Sequence, residues 1–229
     1  MDYPLDRRRF LQITAITAAS VAPSRLFAQN DAAAECGPFT LWQLPPQTHS
    51  QMNGYVIRTS AGRVVVIDGG TEGDAPYLRG FLGALGNHVD AWFLSHPHFD
   101  HVDAVRAILN DPAGVTIDAL YASLPKESWI EQHRARDLPC AKALNEAIQK
   151  SGVPLVDLAL GQVLDFDGVR FEILGVRNPE ITRGGLNNQS VAMLMTGRGK
   201  KVLFLGGRGL IEKKKLMTTP YADRLRADY

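Results

Sequence analysis

The 229-residue sequence predicts a layered α/β domain whose sheets are covered by helices. Three observations lead there. Short β-type runs dominate both ends of the chain and alternate with helical segments in its middle. Two runs, Val64-Val65-Val66-Ile67 and Ala91-Trp92-Phe93-Leu94, are continuously apolar, as strands covered on both faces are. The composition, 45% hydrophobic and 21% charged, suits a packed core and excludes a disordered or fibrous chain. The length suits one domain rather than two, and there is no internal repeat or low-complexity segment.

The first 28 residues read as an address. Arg7, Arg8, Arg9, Phe10 and Leu11 precede a mildly apolar run over residues 13–22, which is followed by Pro23, Arg25 and the small Ala28. This is the layout of a signal peptide, with cleavage expected after Ala28 or Ala34. The Arg-Arg-x-Phe-Leu pattern resembles a twin-arginine signal, which implies delivery by the twin-arginine export machinery to the periplasm or outside the cell. A general secretory signal is the alternative. The apolar run falls short of the ~20 residues a membrane span needs, so no anchor is expected in the mature form. Residues 29–38 read as a linker, and residues 39–229 as the domain.

Charge narrows the partners. Residues 1–28 hold four arginines against two aspartates, leaving 21 basic and 22 acidic residues in the rest. A near-neutral body excludes a broad nucleic-acid or membrane surface and leaves a small-molecule substrate. Cys36 and Cys140 form no zinc-type cluster; they read as a disulfide or as two unrelated thiols.

Within the domain, strands are predicted over residues 39–44, 55–59 and 64–67, with a hairpin turn at Ser60-Ala61-Gly62. A helix over residues 76–85 has Leu78, Phe81, Leu82 and Leu85 on one face and Pro76 in its first turn. A buried strand at residues 91–94 follows, and a helix resumes at about Val102. Next come a strand over 117–122, a helical stretch over 127–150 broken near Pro139, and strands over 155–158, 169–175, 190–195 and 202–205. The Lys213-Lys214-Lys215 run reads as a solvated helix face rather than a phosphate site. Gly206-Gly207-Arg208-Gly209 reads as a turn after a strand, since it lacks the spacing of a phosphate-binding loop.

The chemistry concentrates at the exit of the strand over residues 91–94. His96 and His98, one residue apart in extended chain, can point to the same side and grip one ion. Asp100 and His101 follow where the chain turns into a helix and can face a second position. Three of the six histidines fall here, whereas His49, His88 and His133 are isolated. Imidazole and carboxylate suit zinc, with iron or manganese also accommodated.

Residues 95–101 match the H-x-H-x-D-H signature, and with the upstream Val66-Ile67-Asp68-Gly69-Gly70 the chain resembles the metallo-β-lactamase superfamily. Asn187-Asn188-Gln189-Ser190 and Leu203-Phe204-Leu205-Gly206-Gly207 further resemble the hydrolase-like domain of bacterial DNA-uptake channels. The resemblance implies a four-layer αββα sandwich and an exported metallohydrolase with one or two metal ions, zinc first among them. It places His96 and His98 on a first metal and Asp100 and His101 on a second, gives Asp100 the attacking water, and makes Asp68 a brace for the motif loop. The substrate would be a phosphoester, a β-lactam or another ester.

The pattern is also broken. Where family members carry a bridging aspartate, in a context like Phe-Thr-Gly-Asp, this chain has Gly207. They supply further histidines from the second half, and here none follows His133; Asn187 or Asn188 is left as a substitute oxygen ligand. Residues 225–229 resemble the entry to another strand. The expectation is therefore a C-terminally truncated or divergent member that binds one ion, or binds weakly, with a degenerate metal-binding or interaction domain as the alternative to an enzyme.

Overall fold

A computed structural model describes residues 38–229. The expected signal peptide, Cys36 and all of the expected linker except Pro38 lie outside the described residues. Strands β1 (Phe39–Gln43), β2 (Gly54–Thr59) and β3 (Val64–Asp68) lead into helix α1 (Ala75–Ala84). Strands β4 (His88–Val89) and β5 (Ala91–Leu94) precede α2 (Phe99–Asn110). After β6 (Thr116–Ile117) and β7 (Leu120–Ala122) come α3 (Glu127–Arg134) and α4 (Leu138–Ser151). Then follow β8 (Leu155–Asp157), β9 (Val163–Phe166), β10 (Val169–Gly175), β11 (Ala192–Gly197), β12 (Lys200–Phe204) and α5 (Leu210–Leu216).

Two sheets form the middle of the molecule. One runs β1-β2-β3-β5-β7-β8, antiparallel through β3 and parallel from there on; the other runs β12-β11-β10-β9, antiparallel throughout. Successive strand residues point to opposite faces, so a strand buried on both sides must be apolar at every position. In β3, Val65 and Ile67 face the second sheet while Val64 and Val66 face the helices; in β5, Ala91 and Phe93 do the first and Trp92 and Leu94 the second.

Phe93 stacks on Phe171 of the second sheet at 5.1 Å between ring centroids. Full burial of each such ring contributes roughly 1.5–3 kcal/mol. On the outer face of the first sheet, Leu78 and Leu82 of α1, Val105 and Ile108 of α2, and Leu144 and Ile148 of α4 close a second core. On the outer face of the second, Leu216 of α5 packs on Leu174, Ala192 and Leu194. The layers are therefore α, β, β, α, as the resemblance implies.

Several boundaries differ from the sequence expectation. Helix α2 begins at Phe99 rather than Val102, so Asp100 and His101 sit in its first turn. The single strand expected over 117–122 is two: β6 pairs with β4, and β7 pairs with β5 and β8, because the chain crosses between sheets at Asp118 and Ala119. Pro139 lies in the first turn of α4, where its missing N–H costs nothing, and the true break is the 3₁₀ turn Ala135–Asp137. Strand β9 forms a hairpin with β10 through Asp167 and Gly168, both at positive φ. Near the chain end Ala222–Leu225 is a 3₁₀ turn, and the Tyr229 carbonyl accepts from the Leu203 amide at 3.0 Å. The turn after β12 and the exposed lysines of α5 agree with the expectation.

Candidate metal centre

The centre is built on two parallel neighbours, β3 and β5, at their carboxyl ends. Strand β3 ends at Asp68, whose φ of 53° turns the chain sharply, and Gly69 and Gly70 follow. A β-carbon at Gly69 would lie 3.1 Å from Val105 and 3.2 Å from Leu78. Glycine there lets the start of α2 settle directly on the strand exit. The contact is locked by two backbone bonds, from the Gly69 amide to the His101 carbonyl (2.8 Å) and from the Ala104 amide to the Gly70 carbonyl (3.0 Å).

Asp68 is buried, and its carboxylate accepts three hydrogen bonds. The Ser95 amide donates to Oδ1 at 2.8 Å, and the Ser95 hydroxyl and His101 Nδ1 each donate to Oδ2 at 2.7 Å. These bonds fix protons as well as positions. Ser95 has one hydroxyl proton and gives it to Asp68, so at the 3.0 Å contact between Ser95 Oγ and His96 Nδ1 the imidazole is the donor. His96 Nε2 then carries the lone pair. His101, with Nδ1–H on Asp68, likewise keeps its lone pair on Nε2, 3.8 Å from Asp100 Oδ2. His98 has Asp137 Oδ2 3.7 Å from Nε2, which favours the proton there and leaves Nδ1 open.

The four predicted ligands thus arrange themselves as two pairs. His96 Nε2 and His98 Nδ1 stand 2.9 Å apart; Asp100 and His101 form the second pair. Burial, then the neighbouring His101 and His98, hold the His96 pKa well below its ordinary value. Burial also lowers His98, against the pull of Asp137 and Asp100. His101 moves the other way: burial opposes its charged form, but the charge and hydrogen bond of Asp68, with Asp100 behind them, outweigh it.

Apart from Asn187, residues without a sequence signal complete the surroundings. Gln51 Nε2 donates to Asp100 Oδ2 at 2.9 Å, and the Asn53 amide donates to the Asp100 carbonyl at 3.2 Å, so the stretch before β2 orients Asp100. Asp137, at the junction of α3 and α4, backs His98 and is itself held by Arg134 at 3.1 Å. The second sheet reaches the motif through the Val191 amide, which donates to the Ser95 carbonyl at 2.8 Å. It also does so through the 3₁₀ turn Gly185–Gln189, whose Asn187 hydrogen-bonds to His96. A hollow of about 350 Å³ lies between α3 and the loop after β10, lined by Lys126, Trp129, Arg177 and Pro179 among others.

Comparison with known proteins gives the family. The model of the metallo-beta-lactamase superfamily matches residues 48–206. The chain belongs to that superfamily. Its members are commonly metal-dependent hydrolases, and the fold implies divalent metal binding. Among solved structures, the metallo-beta-lactamase fold protein YhfI from Bacillus subtilis is 17% identical, with a TM-score of 0.46 over 72% of this chain and 61% of that one. The metallo-beta-lactamase MIM-2 is 19% identical, with a TM-score of 0.44 over 77% of this chain and 63% of that one. The hydrolase AbOPH, of the beta-lactamase superfamily, is 19% identical, with a TM-score of 0.44 over 67% and 55%. This chain spans about three fifths of the length of the solved structures it matches. No curated protein matches the sequence.

The donor chemistry of the motif fits a divalent ion. Two imidazole nitrogens bound to one tetrahedral ion at about 2.0–2.1 Å each stand roughly 3.3 Å apart, close to the His96–His98 separation. The His101 imidazole follows the carboxylate–histidine arrangement in which an outer acid fixes the ring and leaves the other nitrogen for a metal. Among the described residues, the one trio of histidine and acid groups whose ligand atoms all lie within 4.8 Å is elsewhere: His88, Asp90 and Asp118. In the motif itself, each pair lacks a third protein donor of these types.

Proposed function

We propose that the protein is an exported metallohydrolase in which His96 and His98 bind a first divalent ion and Asp100 and His101 assist or bind a second. The observation that carries the reading is the 2.9 Å approach of His96 Nε2 to His98 Nδ1 at a buried site whose proton positions are set from outside by Asp68, Ser95 and Asp137. A bound divalent ion would lower the pKa of a water toward neutrality and polarise a carbonyl or phosphoryl oxygen.

The chain's own groups do the rest. Asp100, aimed by Gln51, orients the attacking water and takes its proton. Asp68 keeps His101 in one tautomer, and the buried walls keep bulk water from competing for the donors. The metal is zinc in our reading, with iron or manganese compatible with the same donors. The substrate is a small phosphoester, or a β-lactam or other ester. The near-neutral body supports a small substrate.

Delivery by the twin-arginine machinery to the periplasm or outside the cell rests on Arg7 and Arg8. Among the described residues, no helix is long and apolar enough to cross a membrane. Export should be blocked by lysine at both arginines, as read by cell fractionation, and unchanged delivery would exclude that route.

Gly207 favours a second reading. A β-carbon there would lie 2.9 Å from His96 Cε1 and 2.8 Å from Asn187 Oδ1, so the site has no room for an added carboxylate without displacing one of them. A metal-binding domain without turnover accommodates that. Metal stoichiometry of the purified protein, followed by turnover of phosphodiester and β-lactam reporters, separates the readings. Hydrolysis lost on chelation and restored by zinc supports the enzyme; bound metal without turnover supports the second reading.

A further inference from the structure

The His96–His98 pair offers an ion only two donors, and the space around it is already furnished. We propose that the carboxamide oxygen of Asn187 is the third protein donor to the ion held by His96 and His98, an inference that rests on the metallohydrolase reading of the motif. Asn187 hydrogen-bonds to the His96 ring. Ser95 engages Nδ1 of that ring, and His98 Nδ1 converges on its Nε2. The point above Gly207 that lies 2.8 Å from Asn187 Oδ1 and 2.9 Å from His96 Cε1 shows how closely these two groups crowd one spot.

The neighbouring asparagine is not equivalent. Asn188 is buried, its Nδ2 donating to the Arg183 carbonyl at 2.7 Å and its Oδ1 accepting from the Gly209 amide at 2.8 Å. Both ends of its carboxamide are spent on loop structure. Asn187 is instead presented by its backbone, whose carbonyl accepts from the Ser190 hydroxyl at 2.8 Å. The turn that carries it is pinned from outside by Leu186, packed on Ile130 and Ala141. Amide oxygen is a neutral donor. The first ion therefore keeps its full positive charge among protein ligands, which sharpens its pull on a substrate oxygen and weakens its retention.

The test is titration of metal-free full-length protein with Co²⁺, read by visible absorption, together with Zn²⁺ competition against a chelating dye. Asn187→Ala should weaken binding about tenfold or more and alter the Co²⁺ spectrum, while Asn187→Asp, nearly isosteric, should tighten it by a similar factor. His98→Ala should abolish binding at the site. If both Asn187 variants keep wild-type affinity and spectrum while His98→Ala loses the ion, Asn187 is not a donor and the histidine reading stands. If His98→Ala binds as the wild type does, the underlying reading fails and this one with it. Should Asn187→Ala not fold, the aspartate variant alone decides.

Discussion

Strand β5 has a cluster of histidine and carboxylate near each end. At the amino end, His88, Asp90 and Asp118 bring their ligand atoms within 4.8 Å of one another; at the carboxyl end, the motif groups come only in pairs. By proximity alone the amino end is the better metal site. Its groups are already committed, however. His88 bonds Thr116 Oγ1 at 3.0 Å and faces Asp118 at 3.3 Å, while Asp90 accepts from the Val64 amide at 2.8 Å with Arg63 beside it.

Solvent widens the difference. The side chains of His88 and Asp118 are 51% and 58% exposed, so water competes for every donor, whereas His96 is fully buried. Burial makes neutral imidazole the favoured form at His96 and His98, and Ser95 and Asp137 turn their lone pairs inward. What distinguishes a metal centre is thus less the distance between donors than whether anything else already satisfies them.

Four substitutions test the contrast, from the strongest expected effect down. Asp68→Asn leaves the backbone conformation accessible, since asparagine tolerates positive φ, but removes the charge that pairs with buried His101. Stability in urea should fall by roughly 3–5 kcal/mol and metal affinity by about 10–100-fold; a variant as stable as the parent would show that Asp68 is no brace. His98→Ala should cost more than ~100-fold in Zn²⁺ affinity, about 2.7 kcal/mol, with the circular dichroism spectrum unchanged.

Gly207→Ala forces a methyl group against Asn187 and His96, and should lower stability by about 1–3 kcal/mol in chemical denaturation. Retention of full stability would mean that the turn yields freely. His88→Ala should move stability by no more than about 0.5 kcal/mol and leave metal stoichiometry by mass spectrometry unaltered. Loss of a bound ion in that variant would transfer the metal centre to the other end of β5.

Much of this was legible before any coordinates. Continuous apolar runs at β3 and β5 announce strands covered on both faces, and three clustered histidines at a strand exit announce the site. What stayed hidden depends on tertiary placement. Strand β9 is a four-residue edge with Val163 and Asp165 exposed, and β4 and β6, at two residues each, are too short for any period to show. Gln51 and Asp137 come to the motif from 49 and 39 residues away along the chain, measured to Asp100 and His98, and nothing local marks them. Asn187 and Asn188 are chemically identical neighbours; only the bonds of the second to the Arg183 carbonyl and from the Gly209 amide tell them apart.

The bond from the Val191 amide to the Ser95 carbonyl has a mechanical consequence. It crosses from one sheet to the other at the mouth of the centre, where Gly206 fits between Ser95 and Ser190 with no room for a side chain. An ion gripped by His96, His98 and Asn187 would act as a rivet through that seam, adding its binding free energy to the cohesion of the two halves by mass action. Loaded protein should then melt as one body, at a temperature that climbs with the concentration of free metal.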